Sequence, residues 1–340
     1  MMSDTGGASD VAAACLHRED YPQAAHVLRA ALAEDPYNTV LLVQFAQASL
    51  GLKDHAGAAS AAWAALGVEP SNEHAMRLYT LALNGQGRAA DALSMAWRTV
   101  SEHPQSALAQ YTYAGLLRES GQEAKALAVV NEALRLDPAN ADALVLRGDI
   151  YRSTWGAAAA EAQYAEALRL SPNHALATHN LAVSRLRLGT LTQAVRGLLA
   201  AARLETALGQ LVIDNIGVAV TKVLRMATAS VVFLAVALIV VMAAHDDALP
   251  TVIPRVAAGV LSAALMVPLV WVVRTVPEPT LSSVLRQRLL SAVRMAFVAV
   301  AVVLGAVTAV AGSNPVSDVA GTLLLFGVFG LTVLGWVTGA

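Results

Sequence analysis

The hydrophobic positions of this chain follow two patterns, which meet near residue 206. In the first part, apolar and small residues are mixed with polar ones at helical intervals, and a phrase recurs as EALRLDPANADA from Glu132 and as EALRLSPNHALA from Glu166. In the second part, apolar residues run almost without interruption for about twenty residues at a time. The first pattern is typical of packed amphipathic helices and the second of helices in lipid. We therefore expect an all-α chain.

An internal repeat governs the first part of the chain. Its prolines are spaced at 34 residues: Pro36, Pro70, Pro104, Pro138 and Pro172. Small residues lie twelve and five positions before each proline: Ala24, Ala58, Ala92, Ala126 and Ala160, then Ala31, Ala65, Thr99, Ala133 and Ala167. Close helix contacts exclude large side chains at such positions, and glycines at Gly87, Gly121 and Gly189 suit turns. Each unit is therefore predicted to be a helix, a short turn, a second helix and a proline stop.

This period and these positions resemble the tetratricopeptide repeat (TPR) family, here a bacterial type with a C-terminal multi-span membrane domain. Units begin near Thr5, Thr39, Glu73, Ala107, Ala141 and Ala175. The resemblance implies an α-solenoid of about six helix pairs over residues 5–206. Two departures stand out: Trp155 occupies a glycine position, and Thr206 replaces the proline, so that the last helix is expected to run on. We predict an amphipathic capping or linker helix at 207–225 and a membrane domain at 226–340.

The resemblance also implies a binding surface. In such arrays the first helix of every unit lines a concave face that takes an extended peptide or a partner helix. By the family's geometry, the side chains that face inwards lie at about positions two, five, six, nine, twelve and thirteen of a unit. This position rule gives the groove candidates Gln44, Gln47, Arg77, Asn84, Tyr111, Thr112, Arg118, Asp149, Arg152, His179, Asn180 and Arg187. Four of these are arginines, which favour a ligand that carries carboxylates. The alternative is that they are solvated polar residues on an unused face.

Four apolar stretches predict a four-helix transmembrane bundle, with spans at about 226–244, 254–273, 295–312 and 319–338. Pro268 should kink the second span. Basic residues set the orientation of such a bundle. Six lie on the side of the repeats: Lys222, Arg225, Arg274, Arg286, Arg288 and Arg294. Only Arg255 lies near the opposite side. The first ten residues also lack a secretory signal pattern, so we expect a multi-pass inner-membrane protein with the repeats and both termini in the cytoplasm.

Three further features concern packing near the bilayer. The stretch GQLVIDNIGVAVTKVLR is amphipathic, and it either caps the last repeat and runs into the first span or lies on the bilayer surface. The stretch PTLSSVLRQRLLS forms either a short interfacial helix or a solvated loop. Ala301, Gly305 and Ala309 form a stripe of small residues for helix packing, within the bundle or between copies, so homo-oligomers could form through the third span. Gly335 and Gly339 repeat this spacing.

Composition and motifs argue against several function classes. Residues 1–206 hold 16 Lys or Arg against 20 Asp or Glu, a net charge of about −4, which disfavours nucleic-acid binding. The histidines and the single cysteine, Cys15, do not have the spacing of a metal site. The Gly85 and Gly87 pair lacks the strand and lysine of a phosphate loop, and no motif for a catalytic serine occurs. We expect no cofactor, no metal and no catalytic residue.

The combination of repeats and spans predicts a membrane-anchored cytoplasmic adaptor that binds a partner protein or peptide through the concave face. The spans carry no ionisable residue in their middle, which favours an anchor over a transport pathway. The alternative is an accessory or pore-forming subunit of a transport or cell-envelope complex, with the repeats regulatory. A membrane enzyme is a third hypothesis, which no motif supports.

Overall fold

The protein is described by a computed structural model that covers residues 5–247, 249–312 and 315–338. Within these ranges every regular element is a helix, which confirms the all-α prediction. The described residues fall into two compact units, one that ends at Pro172 and one that begins at Asn173.

The first unit consists of five helix pairs. Its helices are α1 (Thr5–His17), α2 (Tyr21–Glu34), α3 (Thr39–Gly51), α4 (His55–Val68), α5 (Glu73–Gly85), α6 (Ala89–Glu102), α7 (Ala107–Glu119), α8 (Glu123–Leu136), α9 (Ala141–Thr154) and α10 (Ala157–Leu170). Each pair packs against itself and against the first helix of the next pair. The pairs follow the 34-residue period of the sequence.

In the second to fifth pairs the first helix starts at a side-chain cap that lies two residues after a proline. Asn38, Asn72, Ser106 and Asn140 each accept a hydrogen bond from the backbone N–H three residues later. Such a cap satisfies one of the free donors at a helix N-terminus and stabilises the helix by about 1 kcal/mol. The proline therefore ends one helix, and the cap restarts the chain in a fixed direction.

The small positions of the repeat are packing positions, as predicted. Twelve residues before each proline the alanines are 0% exposed: Ala24, Ala58, Ala92, Ala126 and Ala160. The residues five before each proline are also buried: Ala31, Ala65, Thr99, Ala133 and Ala167. Gly148 belongs to the same class, because an added Cβ would lie 2.6 Å from Cε1 of Tyr164. A larger side chain at these sites would separate the paired helices.

The turns within the pairs need one residue with a positive φ, and the sequence meets this need in three ways. Gly87, with φ of 77°, fits the prediction, and so do Gly121 and Gly189. Trp155 does not take this conformation itself, and the turn moves one residue on to Gly156, with φ of 90°. The first two pairs use non-glycine residues, Glu19 and Lys53, with φ of 59° and 60°. A side chain in this region costs about 1–2 kcal/mol.

The second unit contains the sixth helix pair and the apolar helices. Its helices are α11 (Ala175–Leu188), α12 (Leu191–Leu204), α13 (Gly209–Asp246), α14 (Val252–Thr275), α15 (Glu278–Gln287), α16 (Leu289–Ala311) and α17 (Pro315–Thr338). Four of them, α13, α14, α16 and α17, are long and apolar enough to cross a membrane, which is compatible with a multi-pass membrane protein. The segment after the second apolar helix forms α15, so it is a short helix rather than a loop.

The expectation that the last repeat helix would run on past Thr206 was wrong. Helix α12 ends at Leu204, Glu205 is extended, and a short 3-10 turn leads into α13. The loss of the proline is compensated because α13 folds back on α12. Apolar residues of α13, including Val212, Ile216 and Leu224, share one core with Val195 and Leu198 of α12.

Helix α13 is 38 residues long and joins the amphipathic stretch to the first apolar span without a break. Its first half covers the sixth pair, and its second half packs on α14, α16 and α17. The core of the sixth pair also takes in Val272, Val276 and Val284 from α14, α15 and the segment between them. Within this unit the last repeat and the apolar helices are therefore one packed body.

The stripe of small residues on α16 faces the inside of the bundle. Ala301 is 0% exposed, and a Cβ on Gly305 would collide with Ser262 of α14 and Leu234 of α13. Ala309 lies against Gly259 of α14. The stripe is thus already occupied within one chain. Of the second predicted stripe, Gly335 is buried, whereas Gly339 lies outside the described residues.

Candidate partner-binding groove

The first helices of the pairs form the inner layer of the first unit. Neighbouring first helices contact one another, α1 with α3, α3 with α5, α5 with α7 and α7 with α9. The second helices make no comparable contacts with each other among the described residues. Helices on the inner side of a curve lie closer together than those on the outer side, so the layer of first helices is the concave one.

A cavity of about 730 Å³ opens at the N-terminal end of this layer. It is lined by side chains of the first three repeats: Ala13, Leu16, His17, Glu19, Tyr21, Thr39, Val40, Val43, Gln44, Gln47, Glu69, Asn72 and His74. Val40 is 58% exposed, although it is apolar. The volume lies within the range of about 300–1,000 Å³ that is usual for binding pockets.

Two of the predicted groove residues, Gln44 and Gln47, line this cavity and have different roles. Gln44 accepts a hydrogen bond from the Ser9 hydroxyl at 3.2 Å and donates one from Nε2 to the Ser9 carbonyl at 3.1 Å. It therefore fixes α3 against α1. Gln47 makes no hydrogen bond to any described residue, so its amide is available to a ligand.

His74 stands at the far side of the same cavity and was missing from the predicted set. Burial lowers its pKa from the ordinary value, and repulsion by the Arg77 guanidinium lowers it further. The imidazole is therefore neutral near pH 7 and offers both a donor and an acceptor nitrogen. His74 is the second residue of its unit and therefore satisfies the position rule, but the predicted groove residues were all chosen at other positions of the rule.

The middle of the layer holds four predicted residues that are engaged locally. Arg77 lies 3.8 Å from the Glu73 carboxylate, and burial lowers the pKa of its guanidinium. Asn84 donates to Glu119 across to the next repeat at 3.0 Å. Thr112 donates to the carbonyl four residues before it. Burial raises the pKa of the half-buried Tyr111, the remaining member of this set, so its phenol remains protonated.

The C-terminal end of the layer brings three predicted residues into one cluster. Arg118 and Arg152 contact the two carboxylate oxygens of Asp149, at 3.4 and 3.3 Å. Tyr164 of α10 donates to Asp149 at 2.7 Å and accepts from Nε of Arg152 at 3.3 Å. Two guanidinium groups share one carboxylate, so the cluster keeps a net positive charge. Tyr164 was not predicted, because its helix belongs to the outer layer.

The remaining predicted residues lie on α11 in the second unit. His179 is buried, Asn180 is half-buried and Arg187 is exposed. The structure thus gathers Gln44 with Gln47 and Arg118 with Asp149 and Arg152, whereas Arg187 belongs to the second unit. Within the described residues no group of three His, Cys, Asp or Glu side chains has the arrangement of a metal site.

Apolar side chains on the inner layer were left out of the prediction although the position rule includes them. Val40, Leu81 and Leu108 are 58%, 39% and 41% exposed, one on each of three successive first helices. Exposed apolar side chains on this layer offer contact area to a partner. The groove is therefore mixed, with apolar contacts between polar groups.

Comparison with known proteins shows the fold. No protein-family model matches the chain, and no curated protein matches it. A solved thermophilic TPR protein of Thermus thermophilus, TTC0263, is 20% identical, with a TM-score of 0.50 over 54% of this chain and 99% of that chain. A chain of the APC/C hetero-tetramer Cut9-Hcn1 is 14% identical, with a TM-score of 0.56 over 61% of this chain and 41% of its own length. The chain is therefore a TPR-like α-solenoid followed by four apolar helices.

Proposed function

We propose that this protein is a non-catalytic scaffold, anchored in the inner membrane, that binds an extended segment of a cytosolic partner along the inner layer of its repeats. The observation that carries the proposal is the open cavity on α1, α3 and α5, with an exposed Val40 and an unengaged Gln47 on one helix face. The likeness to TPR proteins supports a protein-binding mode, since stacked repeats present such surfaces to peptides.

The chemistry of the groove indicates the kind of segment it would bind. An extended peptide exposes backbone N–H and C=O groups along its whole length, and the Gln47 amide pairs with both. Apolar side chains of the peptide would cover Val40, Leu81 and Leu108. At the far end, the net positive charge of the Arg118, Asp149 and Arg152 cluster favours an acidic side chain or a carboxylate.

The four apolar helices support the anchoring part of the proposal. Their lengths of 23 to 38 residues suffice to cross a hydrocarbon core of about 30 Å. Basic residues that flank the spans, among them Lys222, Arg225 and Arg274, favour an orientation with the repeats on the cytoplasmic side. Anchoring would concentrate the repeats at the membrane surface and restrict the search for a membrane-associated partner.

Site-specific photo-crosslinking in growing cells tests the groove. A photo-reactive amino acid at Gln47 should give a crosslinked partner in the membrane fraction. The same amino acid at Ala64, which is exposed on the second helix of the same repeat, is the matched control and should give none. Equal crosslinking at both positions, or none at Gln47, would contradict binding in this groove. Replacement of Arg118 and Arg152 by Gln should reduce the yield at Gln47 if one segment spans the layer.

A further inference from the structure

A second cavity lies within the second unit, between α13 and α14. It measures about 610 Å³, and its walls are mainly apolar side chains of these two helices, among them Met226, Phe233 and Leu261. Gly189 and Thr192, from the turn between α11 and α12 and the start of α12, border one end of it. The cavity thus lies where the sixth helix pair meets the apolar helices.

The interior of this cavity offers apolar contact. The indole N–H of Trp271 donates to the Thr192 hydroxyl at 2.8 Å, and the Ser230 hydroxyl donates to the Met226 carbonyl at 3.0 Å. These polar groups of the lining are therefore engaged within the protein. Met226 and Phe233 are 65% and 66% exposed although they are apolar. Such side chains favour an occupant that removes apolar surface from solvent.

The length of the cavity matches one leaflet of a bilayer. Its lining on α13 extends from Val223 to Phe233 and its lining on α14 from Leu261 to Trp271. At 1.5 Å per residue each wall is about 15 Å long, which is half of a hydrocarbon core of about 30 Å. A spanning helix of a partner would pack along the full thickness of the core, whereas an acyl chain of one leaflet reaches only half of it. The length therefore favours a lipid chain.

Two cationic side chains flank the end of the cavity near the sixth pair. Lys222 lies one turn before Met226 on α13, Arg274 lies one turn after Trp271 on α14, and both are exposed. Residues three or four apart share a face of a helix, so both cations lie on the faces that line the cavity. Together, residues 209–225 and 274–294 hold six Lys or Arg against two Asp or Glu. This charge complements the anionic headgroups of a cytoplasmic leaflet.

We propose that the cavity between α13 and α14 binds an anionic phospholipid, with one acyl chain between the two helices and the headgroup beside Lys222 and Arg274. The inference goes beyond the scaffold function and rests on that proposal only for the insertion of the bundle in a membrane. The lipid would contact the start of α12 as well as both apolar helices, so its binding would stabilise the packing of the sixth pair on these helices.

Native mass spectrometry of the full-length protein in a non-ionic detergent tests the place of the acyl chain. The probe is phosphatidylglycerol. Ala264 lines the cavity, and Ala264→Phe should lower the affinity for this lipid on the order of tenfold, which corresponds to the loss of about two buried methylene groups. Ala263→Phe is the matched control, because Ala263 is the adjacent exposed alanine and does not line the cavity. Its affinity should be unchanged.

Paired charge variants test the place of the headgroup in the same assay. Lys222→Gln combined with Arg274→Gln should lower the affinity for phosphatidylglycerol about fivefold for each charge removed and leave the weaker affinity for phosphatidylcholine unchanged. Arg225→Gln combined with Arg286→Gln is the matched control. Both of these arginines are exposed at the same end of the apolar helices, but Arg225 faces a different cavity beside α16 and α17, and Arg286 lies on α15.

Two outcomes would overturn the proposal. The first is full binding of phosphatidylglycerol by Ala264→Phe, or an equal loss in Ala263→Phe, since the lipid would then bind outside the cavity. The second is an equal loss in the two double variants, which would mean a general effect of charge. Carbonate extraction of membranes is measured in parallel. Release of the protein by carbonate would contradict anchoring itself, whereas retention together with full lipid binding by Ala264→Phe would contradict only this inference.

Discussion

Replacement of Tyr164 by phenylalanine should loosen the C-terminal end of the groove. The tyrosine is 0% exposed, and its hydroxyl donates to Asp149 at 2.7 Å and accepts from Arg152. Burial raises the pKa of this hydroxyl, as does the Asp149 carboxylate, so the group remains a donor throughout the physiological range. The Tyr164→Phe variant keeps the ring packed on Gly148 and removes only the hydrogen bonds.

The size of this destabilisation follows from the charge of the hydrogen-bond acceptor, the Asp149 carboxylate. A hydrogen bond to a charged group contributes about 1.5–3 kcal/mol, and its loss leaves the half-buried Asp149 carboxylate with one partner fewer. At 1.36 kcal/mol for each factor of ten, the local opening equilibrium should rise about 10- to 150-fold. Repeats contact only their neighbours, so the effect should be confined to helices near α9 and α10.

Hydrogen exchange with mass spectrometry on the full-length protein measures this change. Amides of α9 and α10 should exchange faster by the stated factor in Tyr164→Phe, while those of α1 to α4 remain unchanged. Tyr113→Phe is the control, because the Tyr113 hydroxyl makes no hydrogen bond to a described residue. Unchanged exchange in α9 and α10, or equal acceleration in the control, would refute the role assigned to the Asp149 cluster.

Three further changes test other parts of the structure. Lys53→Gly should stabilise the first unit by about 0.5–1 kcal/mol, because removing the strain of a side chain at positive φ outweighs the entropy cost of glycine. A higher melting temperature, measured by circular dichroism, would show this. The pKa of His74 is lowered from 6.5 in the folded state, so near this pH the unfolded chain binds more protons than the folded chain. The free energy of unfolding should therefore fall as the pH drops below about 6.5. His74→Asn should flatten this pH dependence in thermal melts between pH 7.5 and 5.5. Gly305→Ala should destabilise the bundle by about 1–3 kcal/mol, because the new Cβ meets Ser262, whereas Gly330→Ala has open space and should be neutral in thermal unfolding in detergent.

The helix pairs could be predicted from the sequence because the rules behind them are local. A proline ends a helix wherever it stands, and a small residue at a crossing point is required by sterics. The caps at Asn38 and Asn72 belong to the same local class, although the prediction did not use them. The strained turns at Glu19 and Lys53 could not be predicted, because a polar residue forced into a positive φ by its neighbours has no compositional signal.

The groove was predicted as a set of positions and not as a set of contacts. The spacing of Arg118, Asp149 and Arg152 indicates that they share a face, but their pairing depends on side-chain conformations in neighbouring repeats. The hydrogen bonds that Tyr164 makes from an outer helix to this cluster could not be predicted for the same reason. Apolar members such as Val40 were left out because an apolar residue in a helical pattern is normally part of the core.

The position of Arg294 shows a different limit. Because an apolar run in the sequence is taken to end at a charged residue, Arg294 was assigned to the connection before the third span. The helix in fact begins at Leu289, and Arg294 projects into the bundle within it. Hydropathy reports the transfer of a segment to lipid and carries no information on which side chains a neighbouring helix covers.

The most direct measurement for the proposed topology is cysteine labelling in intact cells. In a Cys15→Ala background, single cysteines replace Glu102 on α6 and Asp247 between the first two spans, both of which are exposed. We predict that a membrane-impermeant maleimide labels the cysteine at 247 in intact cells and the one at 102 only after the inner membrane is opened. Labelling at 102 in intact cells would contradict a scaffold held on the cytoplasmic face.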